Sequence, residues 1–226
     1  MTQNVDGRRA VVCVWNDIDP EISDEYDAWY QRDHLPDRYN LAGFRSSRRY
    51  IRVSGEGRQY LAFSELDSID VGTSPAYLAK LANAGEWTRR IMPHFRRAIR
   101  FVANVSIDTG RGTGGFLGAA LYNLGRDQSD SMLKAIEPSL AEVMADPCVV
   151  RTRIFQKSEA ASDRKNPEAT LRPDQQQTAD FSIIVEGLHE ATIARHLDVL
   201  HALPEVSVLA PVMTPSIYRL LYSSQH

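Results

Sequence analysis

Cysteine is scarce in this sequence. Cys13 and Cys148 are the two present in 226 residues, at no metal-ligand spacing, which excludes a disulfide scaffold and a zinc ribbon. Each reads as a small buried hydrophobe. Long apolar runs are missing too. The run from Ala10 to Trp15 falls short of the roughly 7–15 apolar residues of a secretory leader and far short of the ~20 of a membrane span. Nor is there a surplus of either charge. Lys and Arg number 26 against 29 Asp and Glu, a formal charge of −3, which leaves no basic footprint for nucleic acid or for an anionic membrane. The metallopeptidase pattern H-E-x-x-H, the nucleophile elbow G-x-S-x-G and a clustered facial triad are all absent. These absences lead to the expectation of a cytoplasmic protein with reduced thiols and a small-molecule ligand, with neither a nucleic-acid nor a membrane partner. Hydrophobic residues at 43% and charged residues at 24% are ordinary for a globular chain able to bury a core without staples.

The first half of the chain alternates elements. Residues 10–16 form a β-branched apolar strand ending before Asp17 and Asp19-Pro20. Ile22, Tyr26, Trp29 and Tyr30 fall at helical spacing over residues 21–35, with Pro20 at the start and Pro36 disfavouring continuation. Residues 44–53 and 59–66 make a hairpin about Gly55 and Gly57, and Ser74-Pro75 opens a second helix to about Asn83. Residues 98–107 alternate again, with Ile99, Phe101, Ala103, Val105 and Ile107 on one face. The order is β-α-β-β-α-β, a split ferredoxin-like unit.

The glycine-rich stretch 109–115 hints at a phosphate loop, but no Lys-Ser or Lys-Thr follows it and the next element is a strand. It reads as a linker. The second half then repeats the order: strand 116–124, helix 129–144, strand 148–157, strand 180–186, helix 189–202, and apolar runs at 206–213 and 216–222. Trp15-Asn16 is echoed by Tyr122-Asn123, Arg48 and Tyr50 by Arg153 and Phe155, and Glu65 by Glu186. The organisation expected is a first repeat over 1–110, a linker over 111–115 and a diverged second repeat over 116–226. The polar tract 158–178 reads as an expanded, mobile hairpin loop of the second copy.

Thirteen of the nineteen aromatic residues precede Gly112, so the first repeat is the better place for a ligand. The sharpest local signal runs from Tyr26 to Pro36. Tyr26, Trp29 and Tyr30 share an apolar stripe, Asp33 falls inside it, and His34 lies at its edge near the helix end. An acid in an apolar stripe needs a partner. A histidine pulled one way by the helix dipole and the other by burial is suited to proton transfer. The plainer alternative pairs Asp33 with a strand arginine and uses His34 to cap carbonyls. A second signal, Trp87 to Arg97, includes Arg90 and His94 and reads either as a pocket wall or as a surface arginine cluster under a tryptophan lid. His189, His196 and His201 have no i, i+4 spacing, which argues against a metal.

The motif formed by Trp29, Tyr30, His34 and Pro36, followed by Gly43-Phe44, resembles the EthD-like members of the dimeric α+β barrel superfamily. That resemblance covers about residues 10–108; beyond it, the likeness rests on element order. It implies an α+β fold in which tandem ferredoxin-like βαββαβ repeats pair their antiparallel sheets as an intramolecular dimeric barrel, a pseudo-dimer that leaves a further homodimer open. It also implies a cleft between one sheet and its helices. The superfamily includes monooxygenases, isomerases, cyclases, dehydratases and haem-binding enzymes, so fold alone selects no reaction. Carried over by position, His34 is the expected general acid or base. Tyr26, Trp29, Tyr30, Asp33, Arg48, Trp87, Arg90 and His94 are the expected ligand contacts. The second copy lacks the motif, so one cleft per chain is expected, on the order of a few hundred Å³. The leading reading is a cofactor-independent enzyme moving a proton on a small aromatic or polyketide-like molecule. Its rivals are a non-catalytic binding or structural protein and a haem-dependent oxygenase, since an axial histidine needs no local motif.

Overall fold

The computed structural model describes residues 9–125, 128–162 and 167–225. The first repeat contains β1 (Ala10–Ile18), α1 (Ser23–Trp29), α2 (Leu35–Tyr39), β2 (Phe44–Gly55), β3 (Tyr60–Leu66), α3 (Pro75–Ala82), α4 (Glu86–Ile91) and β4 (Phe95–Gly110). The second contains β5 (Phe116–Asn123), α5 (Ser129–Met144), β6 (Val149–Lys157), α6 (Glu159–Ser162), β7 (Phe181–Gly187), α7 (Glu190–His201), α8 (Pro204–Ser207) and β8 (Ala210–Gln225). The strand order is β4-β1-β3-β2 in the first sheet and β8-β5-β7-β6 in the second. Strand β2 lies beside β8 and β4 beside β6, which closes one antiparallel eight-stranded barrel. The expected tandem-repeat architecture is therefore the one observed.

Closure depends on the two longest strands. The first part of β4 pairs with β1 through Asn104, and its last part, from Ala103 onward, pairs with β6. In the same way β8 pairs first with β5 and then, from Ser216, with β2. Each long strand thus begins in its own sheet and ends in the other. The side chains on one face of every strand fill the lumen, and those on the opposite face meet helices, as the period of two requires. Val11, Cys13, Trp15, Phe63, Phe101, Leu121, Phe155 and Tyr218 are among the lumen residues. Burial holds the Cys13 thiol in its protonated form. Outside, Ile136, Leu140, Ile193 and Leu197 pack the second sheet against α5 and α7. At the start of the β4–β5 connection, Gly110 has φ +96°, and a Cβ there would meet the Val150 carbonyl at 2.2 Å, so only glycine fits.

The echoed arginines and glutamates meet inside the barrel, whereas the echo of Trp15 by Tyr122 does not: Trp15 is in the lumen and Tyr122 packs on the helix side against His201. Arg153 donates to Glu186 and, at 2.8 Å, to Glu65. Arg48 lies 3.5 Å from Glu65 and 3.8 Å from Glu186. Arg151 pairs with Asp108 at 2.6 Å and reaches Glu65 at 3.5 Å. Each repeat supplies an arginine and a glutamate to a cross-paired cluster at the centre of the pseudo-dimer. This is where Arg48 sits, inside the lumen and away from the helices of the first repeat.

Two segments differ from the sequence reading. The first helix does not stop before Pro36 but continues to Tyr39. It does so through a π turn over Tyr30–His34, in which the Leu35 amide donates to the Tyr30 carbonyl five residues back. In a regular helix the Pro36 ring would clash with the carbonyl of Arg32, and the wider turn moves that carbonyl away. The second difference is the tract 158–178, whose described parts pack on the first repeat. Pairing with β6 leaves the edge of β4 before Ala103 open, and the tract covers it. The Ser158 amide donates to the Val102 carbonyl, Ser162 Oγ bonds both the Val102 amide and carbonyl, and Gln177 pairs with Ala98 and Arg100. Residues 163–166 of that tract lie outside the described residues.

Candidate functional site

The site is built on an aromatic platform between the first sheet and α1. Tyr26, Trp29 and Tyr30 pack with Tyr60 and Phe95, all buried. Two polar tips are satisfied where they are stationed: the Tyr26 hydroxyl donates to Asn16 Oδ1 at 2.9 Å, and Trp29 Nε1 donates to Thr88 Oγ1 at 3.2 Å. Arg49 lies over the rings of Tyr26, Tyr30 and Tyr60, 4.5–4.6 Å from their centroids, and pairs with Asp27 at 2.6 Å. That cation–π arrangement locks the tyrosines.

The π turn then sets His34. Fewer degrees per residue place His34 almost above Tyr30 and swing Asp33 outward. The His34 ring lies 4.3 Å from the Trp29 ring centroid and 5.1 Å from that of Tyr30. It faces a cavity of about 40 Å³ that is also lined by Tyr30, Arg38, Arg100, Glu168 and Arg172. At roughly 10–15 Å³ per water, that space takes about three waters. The cleft expected from sequence was several times larger. The segment Pro167–Leu171 with Arg172 roofs the cavity: Arg38 donates to Glu168, and Arg172 lies 5.1 Å over the Phe95 ring. Arg100 Nη2 donates to the Tyr77 hydroxyl at 3.2 Å.

Of the residues singled out from sequence, Tyr30 and His34 line this cavity. Tyr26 and Trp29 support it from the core. Asp33 stays half-buried outside it, and Arg48 is in the barrel lumen. Trp87 and Arg90 both donate to Glu25 at 3.0 Å, tying α4 to α1 near the surface, and His94 bonds Asp19 at 3.0 Å. Sequence reasoning missed Arg38, Arg100, Glu168 and Arg172. Arg38 could have been found, being four residues after His34 on the continued helix. Arg100 is a charge on a strand face that helices cover. Glu168 and Arg172 carry no local signal.

Burial, aided by Arg38, Arg172 and Arg49, holds the His34 imidazole well below its ordinary 6.5, so it is neutral at physiological pH. Among the described residues neither ring nitrogen has a hydrogen-bond partner. Burial and Arg100 push Arg172 down to about 10. A consequence for stability follows from His34. Below 6.5 the unfolded chain takes up a proton that the folded chain refuses. This group's contribution is therefore complete above that value and falls as pH drops, with a limiting slope of about 1.4 kcal/mol per pH unit until folded His34 protonates. Denaturant unfolding at about pH 7 and about pH 5 is expected to show a larger loss for the wild type than for His34→Gln. Equal losses would contradict the assigned neutral state.

The fold defines a dimeric α+β barrel contained in a single chain. No protein-family model matches the sequence, and no curated protein matches it. Among solved structures, an anthrone oxidase-like protein aligns over 100% of this chain and 95% of its own, with a TM-score of 0.62 and 12% identity. A mutant chlorite dismutase from Candidatus Nitrospira defluvii, in complex with cyanide, covers 96% and 92% with a TM-score of 0.60 and 7% identity. A haem-binding protein from Thermus thermophilus covers 96% and 92% with a TM-score of 0.52 and 9% identity. These likenesses concern the fold.

Haem is the prosthetic group this company raises, and the conformation described does not accommodate it. The space beside His34 is about 40 Å³, whereas ligand pockets measure roughly 300–1,000 Å³. The wider concavity of about 610 Å³ in the second repeat, lined by Leu124, Gln156, Lys157, Glu159 and Asp180 among others, presents no histidine among the described residues. His201 is bonded to Tyr122 at 2.7 Å and His196 to Asp146 at 2.9 Å. Asp19, Glu21 and His94 converge, but Arg96 donates to the same Asp19 oxygen that His94 contacts, which disfavours a cation there.

Proposed function

We propose that the first repeat carries the active site of a cofactor-independent enzyme that moves a proton on a small molecule, with His34 as the general base. The observation that carries this reading is the His34 ring itself: neutral, unpartnered among the described residues, braced on Trp29, and facing a small, partly open cavity with three guanidinium groups. A neutral imidazole accepts a proton, and neighbouring arginines stabilise the enolate or other oxyanion left behind. Tyr30 forms part of the wall. An aromatic or polyketide-like substrate requires the roof at Pro167–Arg172 to lift, because 40 Å³ does not hold an aromatic ring.

The test is hydrogen–deuterium exchange at carbon, followed by proton NMR in deuterated water, over a panel of small ketones, keto acids and phenolic ketones. Exchange is expected for at least one class and is expected to fall by about 10²–10⁴-fold in His34→Ala. With the base already neutral, the wild-type rate should be flat through neutral pH and fall only in acid. Exchange that is absent throughout the panel, or unchanged in a folded His34→Ala protein, would overturn the proposal.

A further inference from the structure

We propose that the cavity beside His34 is a binding site for a small planar monoanion, a short carboxylate or an inorganic oxyanion of similar size, held by Arg100 and Arg172, and that Glu168 occupies the anion's place in this structure. This inference adds an anion subsite to the site proposed above and rests on that reading for the location alone.

Charge is the first argument. Among the described residues lining the cavity, Arg38, Arg100 and Arg172 are cationic and Glu168 is the one acid. Glu168 is engaged by Arg38. Among the described residues, no carboxylate pairs with Arg100 or Arg172. Glu168 offsets part of the charge on Arg172, but three guanidinium groups against one carboxylate leave positive charge in excess, which favours an added anion. Geometry is the second argument. Arg172 Nε is buried and has no hydrogen-bond partner, while its Nη1 donates to Gln176 Oε1 at 3.0 Å, and Arg100 Nη2 donates to a neutral hydroxyl. The Nε edge of Arg172 suits the oxygens of a carboxylate or nitrate. Volume is the third. With the roof in place, a space of about 40 Å³ suits an ion of three or four heavy atoms and is too small for a ring.

Glu168 then acts as an internal competitor. It brings a carboxylate from the second repeat into the first repeat's cavity, 5% exposed. An incoming anion would take its share of the positive field, and the glutamate would withdraw from Arg38.

The experiment titrates sodium formate and sodium nitrate separately into the full-length protein by calorimetry, with sodium chloride at equal ionic strength as reference. Wild type is expected to bind at least one of the two with saturation. Formate alone would identify carboxylate chemistry, nitrate alone inorganic chemistry, and both a shared planar oxygen edge. Glu168→Gln should bind about tenfold more tightly, because the competitor has lost its charge, and Arg172→Met about tenfold more weakly. Arg172→Lys, which keeps the charge without the fork, serves as the second variant if Arg172→Met does not fold. The proposal is overturned if neither ion binds Glu168→Gln with saturation. It is equally overturned if folded Arg172 variants bind as well as wild type. His34→Ala separates the two readings. Anion binding retained there without any carbon exchange leaves this inference standing and removes the catalytic one, whereas His34-dependent exchange without anion binding does the reverse.

Discussion

Glu186→Gln is expected to destabilise the protein by about 3–5 kcal/mol, the loss typical when one partner of a buried ion pair is removed. Glu186 is fully buried in the barrel lumen, accepts from Arg153, lies 3.8 Å from Arg48 and accepts from the Gly114 amide at 3.3 Å. Three arginines there are balanced by Glu65, Glu186 and Asp108. The substitution retains size and leaves one positive charge without a counterpart in a low-dielectric interior. Glu65 and Asp108 would be left to hold the cluster, and the Glu65 carboxyl, already kept below the ordinary range by Arg153, Arg48 and Arg151 against its burial, would be pulled lower. Folding stability measured by urea at neutral pH gives the loss directly. The double replacement Arg153→Met with Glu186→Met should cost less than Glu186→Gln alone, because it removes both charges of the tightest pair. A double variant at least as damaged as the single would show that packing, and not charge, fixes the centre of the barrel.

The same residues show why the fold was legible. Arg48 with Tyr50, Arg153 with Phe155, Glu65 and Glu186 recur at matching places in the two halves because both repeats must fill one lumen from related strands. Alternation within β1 and β4 and the Ser74-Pro75 start of α3 were equally plain, since each depends on local period or local capping. The role of the echo was hidden. Nothing local distinguishes an arginine that faces the lumen from one that faces a helix, and a bulge between Phe44 and Ser46 resets that choice in β2. Arg48 was therefore read as a ligand contact and stands in the barrel.

The site was legible only in part, for two physical reasons. First, a 100° wheel drawn through Tyr30 assumes a regular helix, and the π turn breaks that assumption at the residues that matter. The wheel put Asp33 in the apolar stripe and His34 at its edge; the wider turn exchanges their roles. Second, the roof comes from the other repeat. Arg38 and Glu168 are 130 residues apart, and the contact depends on the open edge of β4 that draws the tract 158–178 across. Polar composition alone makes such a tract look like a solvated loop. Here its polarity pairs with Arg38, Arg58 and the β4 backbone.

Trp29→Ala should combine a loss of about 3–5 kcal/mol in stability with loss of the site. Trp29 is fully buried, packs edge-on against Tyr30 and Phe95, anchors to Thr88 and braces the His34 ring. Removing the indole leaves a void under the π turn and frees Thr88 Oγ1. The more informative variant is Trp29→Phe, which keeps an aromatic plane and gives up the Thr88 hydrogen bond and part of the contact with His34. Its expected cost is smaller, about 1–3 kcal/mol for the buried hydroxyl left unsatisfied. The two changes separate packing from positioning when each is read by urea unfolding and by the NMR titration of His34. With the brace intact, His34 should titrate well below its ordinary range; with the brace gone and water admitted, it should move back toward 6.5. If Trp29→Ala left both stability and the His34 titration unchanged, the tryptophan would be filling space that the core closes without it. The neutral state of His34 would then have to come from the arginines and the roof alone.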